Sequence, residues 1–272
     1  MTLRAGQVPY VSFKVYPNRI IVDCNEDGFT ENNLKAICDV GNSSKTASQG
    51  YIGEKGIGFK SVFMVAWKVH IQSGDFSFCF YHKKGESGMG MIMPIWQEPE
   101  EELPHPLTRI TLFLHEGHDA AELERERQTA HQQFHELQDT LLLFLRKIRR
   151  IEVFFYEQDQ QTSATIFSME DTRNANRVVL ERTSATGPTS NGAVRRRQVY
   201  HVTKHVAKKL ARNENRSLSL AEEDSSEIVL AFPLTDESVP IIAPQEVFAF
   251  LPVRQMGFNV SESSPVIVNC QR

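Results

Sequence analysis

Three closely spaced glycines, Gly53, Gly56 and Gly58, are the residues whose spacing most clearly suggests chemistry. Glycine lets backbone N–H groups turn toward one point without a Cβ clash, and the start of a helix offers unpaired N–H groups to an anion. Here the glycines run directly into an apolar helical pattern over residues 59–66. The spacing matches neither the P-loop nor the dinucleotide fingerprint. The cluster therefore predicts a phosphate cradle or, alternatively, a flexible loop before a buried helix.

The segments upstream of this cluster place polar side chains at the end of a strand. Residues 11–15 alternate and residues 19–22 are apolar, so both segments predict strands. An acidic turn over residues 23–29 follows the second strand, which is a common place for a binding site. Residues 34–40 have helical spacing, and we expect the polar residues 41–50 to form a lid.

This order of strand, acidic turn, helix, polar segment, glycine cluster and helix resembles the GHKL (Bergerat-fold) ATPases. The run over residues 53–69 resembles the glycine-rich segment of the ninety-kilodalton heat-shock chaperones. The motifs are still more similar to the sacsin-like and NO VEIN-like ATPase domains of large plant and fungal proteins. The segments that carry this closer resemblance are residues 25–29, 37–41, 44–45 and 50–63. The resemblance extends over residues 8–157 and becomes weak after that.

The resemblance implies ATP or ADP as the ligand, with or without Mg²⁺. In the family an acidic residue accepts the exocyclic amine of adenine, and counting back from Gly28 places that position at Cys24. The neighbouring Asp23 takes over if the strand carries a bulge, or these are simply the polar residues of a turn. Thr108 matches a threonine near the adenine edge, although a threonine that opens a strand is also a good β-sheet residue.

The resemblance assigns the phosphates to the glycine cluster and to the polar segment before it. Backbone N–H groups of the cluster would bind phosphate oxygens, and a Ser-Lys pair in the lid matches one in the family. The full set assigned to nucleotide is Asp23, Cys24, Gly28, Ser44, Lys45, Gly53, Gly56, Ile57, Gly58, Phe59 and Thr108.

Residues that would hydrolyse the nucleotide are not part of this set. The resemblance implies a helix before the first strand, with a Glu that activates water and an Asn that holds Mg²⁺. Residues 1–8 contain neither, so we expect either a fragment of a longer protein or a chain that has lost this helix. Glu26 or Glu31 would replace the missing Glu only by an accident of geometry. We assign no catalytic residue and no metal ligand.

Two functions remain open at this point. The first is an ATP- or ADP-binding module of a chaperone-like protein in which hydrolysis is impaired. The alternative is a degenerate ATPase-like fold that serves as a structural or protein-interaction segment. Whether the chain is an enzyme stays open.

The composition of the chain limits the classes of binding partner that we expect. The net charge of −4 at pH 7 favours neither nucleic acid nor a membrane surface. The three arginines at 195–197 follow a Gly/Ser-containing stretch and fit a solvated loop flank better than a nucleic-acid site. The sequence shows neither a signal peptide nor a membrane helix, and its cysteines lack metal-binding spacing. We expect a cytoplasmic or nuclear protein with reduced thiols, a nucleotide ligand and a protein partner or client.

The predicted elements divide the chain near residue 158. Residues 1–158 are expected to form a two-layer α/β sandwich of the α+β class, in which helices cover one face of an antiparallel sheet. Its further elements are strands at 68–71, 76–80, 89–95, 108–114 and 151–156 and a long helix at 119–149. Residues 159–272 are expected to form a smaller mixed α/β segment with strands at 164–169, 177–181, 198–205 and 227–232.

His131 and His135 are four residues apart on the long predicted helix and would share one of its faces. This spacing fits a metal-binding pair or a solvated surface. Because the sequence offers no further ligand nearby, it favours the solvated surface.

Overall fold

The computed structural model describes the chain in separate stretches: residues 7–38, 59–82, 88–99, 101–115, 120–172, 174, 176–187, 192–208, 226–241, 245–249, 251–256 and 267–270. The chain forms two compact units. The first comprises Met1–Leu137, Arg150–Ile166 and Ser184–Val194, and the second comprises Gln138–Arg149, Phe167–Thr183 and Arg195–Arg272. These units interleave along the chain, whereas the predicted domain boundary near residue 158 is a single cut and stays a prediction.

The strands among the described residues are β1 (Tyr10–Val15), β2 (Arg19–Cys24), β3 (Ala66–Ser73), β4 (Phe76–Tyr81), β5 (Ile95–Trp96), β6 (Thr108–Leu114), β7 (Arg150–Glu157), β8 (Gln160–Asp171), β9 (Arg177–Thr186), β10 (Val194–Ala207), β11 (Ser226–Leu234), β12 (Gln245–Ala249), β13 (Leu251–Met256) and β14 (Ile267–Cys270). In these stretches the α-helices are α1 (Glu31–Cys38) and α2 (Ala120–His135). The same described residues also contain 3₁₀ helices at Phe59–Met64, Gly88–Met91 and Asp139–Leu143. None of the helices in these stretches is both long and apolar enough to cross a membrane.

The sheet of the first unit is mixed. Its strands lie in the order β7-β1-β2-β6-β3-β4-β5. Strand β1 is parallel to β7, and the other neighbouring pairs are antiparallel. A mixed fold of one large sheet and few helices is therefore confirmed, while the sheet is larger than the simple sandwich that the sequence predicts.

Most of the predicted strands are confirmed, because alternating or continuous apolar runs mark them clearly. The strand predicted at 89–95 is wrong: Gly88–Met91 is a 3₁₀ helix, and only Ile95–Trp96 pairs with β4. Glycines at 88 and 90 and a proline at 94 weaken a strand in this segment. The helix predicted at 59–66 is the shorter 3₁₀ helix Phe59–Met64.

The long helix predicted at 119–149 is also corrected, since α2 ends at His135. Four consecutive side chains further on, from Leu141 to Phe144, are all buried. Consecutive residues of an α-helix point in different directions, so one helix face cannot bury all four. These four residues lie in and directly after the 3₁₀ helix Asp139–Leu143, which is therefore buried on more than one side.

The described residues of the second unit form strands and a 3₁₀ helix. Its strand order is β13-β12-β14-β11-β10-β9, with β10 antiparallel to β11 and β12 parallel to β14. The described stretches of this unit contain the 3₁₀ helix Asp139–Leu143 and no α-helix. The expected mixed α/β segment over residues 159–272 stays a prediction, because part of it lies outside the described residues.

The two faces of the first sheet differ in chemistry. One face carries a row of apolar partners across the strands, namely Phe155, Val15, Ile20, Leu112, Val69 and Phe80. Helix α2 packs on this face through Phe134, whose ring centroid lies 5.2 Å from that of Phe13. Phe59 packs on it through Phe80, at 5.6 Å between centroids. Burial of each such ring stabilises the fold by about 1.5–3 kcal/mol, so this helix-facing side forms the core.

Candidate functional site

Three side chains come together at one end of the helix-facing side of the sheet. The strand register pairs Cys24 of β2 with Thr108 of β6, and Thr108 with Ser73 of β3. Paired residues point to the same face of a sheet. The Ser73 and Thr108 hydroxyl oxygens are 2.5 Å apart, and the Cys24 thiol donates to the Thr108 carbonyl at 3.8 Å. The sequence predicts Cys24 and Thr108 as site residues, and it misses Ser73.

The turn after β2 closes over this group. Gly28 has a φ of +99°, a backbone conformation that side chains rarely adopt. A Cβ at Gly28 would also lie only 3.2 Å from the Ser73 hydroxyl oxygen. Directly after it, the Phe29 N–H donates to that same oxygen at 2.8 Å. Gly28 is therefore required here by backbone conformation and by space.

The buried hydroxyl pair retains one hydrogen-bond donor. Thr108 is 0% and Ser73 1% exposed. Each hydroxyl has one proton, and the single bond between them uses one of the two. Ser73 accepts the Phe29 N–H, which uses no hydroxyl proton. One O–H of the pair is thus not used within these contacts.

Asn25 holds the turn to the start of β1. Its side-chain oxygen accepts from the Tyr10 N–H at 2.9 Å, and its amide group donates to the Val8 carbonyl at 2.9 Å. The side chain is buried, so these two bonds satisfy polar groups that have no access to water. The sequence alone does not predict that Asn25 holds the turn to β1, because the hydrogen-bond partner of a polar turn residue cannot be read from a local pattern.

Asp23 lies on the opposite face of the sheet. Its carboxylate accepts from Lys14 at 3.0 Å and from two nitrogens of Arg109, at 2.6 Å and 2.9 Å. Arg109 also bonds Glu101. The predicted adenine role of Asp23 requires a bulge in the strand. The pairing of β2 with β1 and with β6 is continuous and contains no bulge. We therefore leave Asp23 out of the site and assign it to an ionic group on the other face.

Cys24 keeps its proton in this environment. Burial, together with the nearby charge of Glu26, raises the pKa of its thiol to about 12. A neutral thiol is a weak donor and a weak acceptor, so Cys24 is a poor replacement for a family carboxylate. Glu26 is half-buried beside it and brings a carboxylate to this end of the sheet.

The phosphate half of the predicted site lies outside the described residues. Ser44, Lys45, Gly53, Gly56, Ile57 and Gly58 all belong to this part, and their roles stay predictions. Phe59 is described: its ring packs against Phe63 and Phe80 on the helix-facing side, at 6.2 Å and 5.6 Å between centroids. Phe59 is itself half-buried, and its predicted role in nucleotide binding stays a prediction.

The histidine pair has a packing role. The rings of His131 and His135 lie 4.9 Å and 4.3 Å from the ring of Phe155 on β7. His131 is half-buried and His135 is exposed, so this helix face is partly solvated and also contacts the sheet through Phe155. Over the stretches that the structure describes, no cluster of three His, Cys, Asp or Glu side chains could hold a metal ion.

Comparison with known proteins finds a relative in sequence and a set of similar solved structures, two of which are described below. No protein-family profile matches the chain. Protein NO VEIN from Arabidopsis thaliana is 37% identical over 155 residues, which is 53% of this chain and 6% of NO VEIN. The chain therefore spans only a small part of that relative.

The two solved structures are more distant. The N-terminal domain of a DNA repair protein has a TM-score of 0.44 and 12% identity, over 96% of this chain and 77% of that one. The B-subunit of the DNA gyrase from Myxococcus xanthus has a TM-score of 0.34 and 13% identity, over 66% of this chain and 57% of that one. These scores are too low to carry an argument about function. The relation that stands is similarity in sequence to NO VEIN over about half of the chain.

Proposed function

We propose that the first unit binds ATP or ADP on the helix-facing side of its sheet, with the adenine at the ends of β2, β3 and β6. The observation that supports this most is the grouping of Cys24, Ser73 and Thr108 under the turn at Gly28. It brings together three residues that the GHKL resemblance assigns to the nucleotide, Cys24, Gly28 and Thr108. The phosphates would bind at the glycine cluster 53–58.

The chemistry of this group suits the edge of adenine. The exocyclic amine of adenine donates and a ring nitrogen accepts, so the edge needs an acceptor beside a donor. The Glu26 carboxylate beside Cys24 supplies the acceptor, and the remaining O–H of the Ser73–Thr108 pair supplies the donor.

The test is titration calorimetry with ATP and ADP, with and without Mg²⁺, on the unmodified chain and on Thr108→Val. Valine keeps the shape of threonine and removes its hydroxyl. We expect ADP affinity to fall by about tenfold, the equivalent of one lost hydrogen bond in a buried site. Thr111→Val is the matched control, because Thr111 is buried on the same strand and faces the other side of the sheet.

Two results would contradict the proposal. No binding of either nucleotide at millimolar concentration by the folded, unmodified chain would reject nucleotide binding itself. Equal affinities of Thr108→Val and the unmodified chain would place the adenine elsewhere.

A second function, a structural or protein-interaction segment, is favoured by one observation. Strand β5 is the last strand of its sheet, and Met93, Ile95 and Trp96 there are each 57% exposed. Exposed apolar side chains at a sheet edge often mark a contact with another protein. A folded chain that binds no nucleotide in the same titration would favour this function.

A further inference from the structure

Lys60 follows the glycine cluster directly, and its ammonium group is bound within the fold. Its Nζ atom donates to the carbonyl oxygen of Ile37 at 2.6 Å and to that of Met91 at 2.6 Å. The same atom lies 5.4 Å from the ring centroids of both Phe59 and Phe80. Two charge-assisted hydrogen bonds and two ring faces hold this half-buried cation in one place.

The bond to Ile37 fixes the end of α1. Ile37 lies in the last turn of this helix, whose carbonyl groups have no N–H partner within the helix. The helix dipole makes this end negative, so a cation is favourable there. Lys60 thus caps α1 from a different element, the 3₁₀ helix Phe59–Met64.

The bond to Met91 ties the same ammonium to the sheet. Met91 ends the 3₁₀ helix Gly88–Met91. A Cβ at Gly90 would overlap the carbonyl oxygen of Tyr81, so a glycine is needed for this 3₁₀ helix to approach the end of β4. Met91 is therefore held near a rigid strand, and Lys60 connects two further elements to it.

We propose that Lys60 is a positioning residue for the nucleotide and not a phosphate ligand. The chain leaves α1 at Cys38 and enters the 3₁₀ helix at Phe59, and the stretch between carries the predicted phosphate-binding residues. One ammonium fixes both of these ends. A residue that fixes both ends of a ligand-binding stretch helps to keep its binding groups in the productive geometry. This inference rests on the proposed function.

The test compares three ligands on four proteins. Lys60→Met keeps an apolar stem over the two phenylalanine rings and removes the donors. Lys60→Arg keeps the donors. Lys68→Met is the matched control, because the Lys68 ammonium also lies over two rings, 4.8 Å from Phe113 and 5.6 Å from Tyr81, on the opposite face of the sheet.

Calorimetry with ADP, ATP and adenosine gives the first readout. We expect Lys60→Met to lower the affinities for ADP and ATP by the same factor of about ten, because charged hydrogen bonds are lost. Adenosine affinity should not change, since it does not use the phosphate half. Lys60→Arg should stay within about threefold of the unmodified chain, as the donors are retained, and Lys68→Met should match the unmodified chain.

Amide hydrogen exchange without nucleotide gives the second readout. Lys60→Met should speed exchange in residues 31–38, because α1 loses its cap. An unchanged exchange rate in α1 would overturn the inference. If Lys60 only bound phosphate directly, its replacement would not affect α1 in the absence of nucleotide.

The pattern of affinity loss among the three ligands also distinguishes between possible roles of Lys60. A loss confined to ATP would make Lys60 a ligand of the last phosphate, and a parallel loss of adenosine would indicate a general loosening of the fold. Unchanged ADP and ATP affinities would exclude the positioning role. Absence of ADP and ATP binding by the unmodified chain would reject the proposed function itself, and this inference with it.

Discussion

At the scale of the residue, Asp23 and Cys24 show how one step along a strand changes the role of a side chain. Neighbouring residues of a strand point to opposite faces. Cys24 faces the helices, whereas Asp23 bonds Lys14 and Arg109 on the other face. The Asp23 side chain is only 6% exposed, so its negative charge depends on these two cations.

Asp23→Asn tests this assignment. The substitution keeps the shape of the side chain and leaves the Arg109 guanidinium, 13% exposed, with Glu101 as its remaining carboxylate partner. We expect the free energy of unfolding to fall by about 2–4 kcal/mol, as for a broken buried ion pair. ADP affinity should stay within about twofold, a change too small to signal a lost hydrogen bond. Chemical denaturation and calorimetry measure the two quantities.

An exposed ion pair provides the control for the effect of burial on the Asp23→Asn result. Asp159 pairs with Arg19 at 3.7 Å and its side chain is 85% exposed, so Asp159→Asn should change stability by less than about 0.5 kcal/mol. Loss of ADP binding by Asp23→Asn at unchanged stability would return Asp23 to the adenine site.

Part of the candidate site follows from the sequence, and the rest needs the register of the strands. Cys24, Gly28 and Thr108 are predictable because each lies at a fixed place in a short motif or at a strand end. Ser73 is not, since it reaches Thr108 only through the pairing of β3 with β6, across 35 residues of chain. The face of Asp23 depends in the same way on the absence of a bulge, which no local pattern reveals.

At the scale of the element, α2 shows where periodicity succeeds and where it fails. The first part of the predicted helix is present, and His131 and His135 pack on Phe155. The predicted continuation of the helix to residue 149 is absent. The apolar residues there have helical spacing, but they belong to a segment in which the four consecutive side chains of Leu141–Phe144 are buried. Periodicity detects a face of a helix, whereas tertiary burial decides where the helix stops.

The contact between α2 and β7 predicts a pH dependence. Burial lowers the pKa of His131, the positive form of His135 lowers it further, and Glu157 and Glu124 partly oppose this. The folded protein therefore binds the His131 proton less readily than the unfolded chain does. Stability from this residue is fully present above the unfolded pKa of about 6.5 and is lost as pH falls through the lower folded value.

His131→Gln should remove this part of the pH dependence. Denaturation between pH 7.5 and pH 5 is expected to show a shallower loss of stability for His131→Gln than for the unmodified chain. His205→Gln, on an exposed strand position of the second unit, is the control and should retain the original slope. An unchanged slope in His131→Gln would show that its packing on Phe155 does not affect its proton.

At the scale of the whole molecule, the chain consists of two compact units that interleave in sequence. The first contains all the described residues of the proposed adenine site, and the described residues of the second form strands and a 3₁₀ helix. This arrangement could not be predicted from composition, because residues 138–149 belong to the second unit although the flanking segments belong to the first. Local patterns identify strands but not the unit that each segment joins.

A nucleotide that binds only the first unit should stabilise that unit. At an ADP concentration of one hundred times Kd, the stabilisation is about 2.7 kcal/mol, which slows exchange through unfolding of the bound unit by about a hundredfold. Peptides from β2, β3 and β6 should therefore show slower amide exchange with ADP, while peptides from β11 and β13 should exchange as before. Thr108→Val at the same ADP concentration is the control, with a smaller effect in proportion to its weaker affinity. Equal slowing in both units would mean that they unfold as one, and slowing confined to β11 and β13 would place the nucleotide in the second unit.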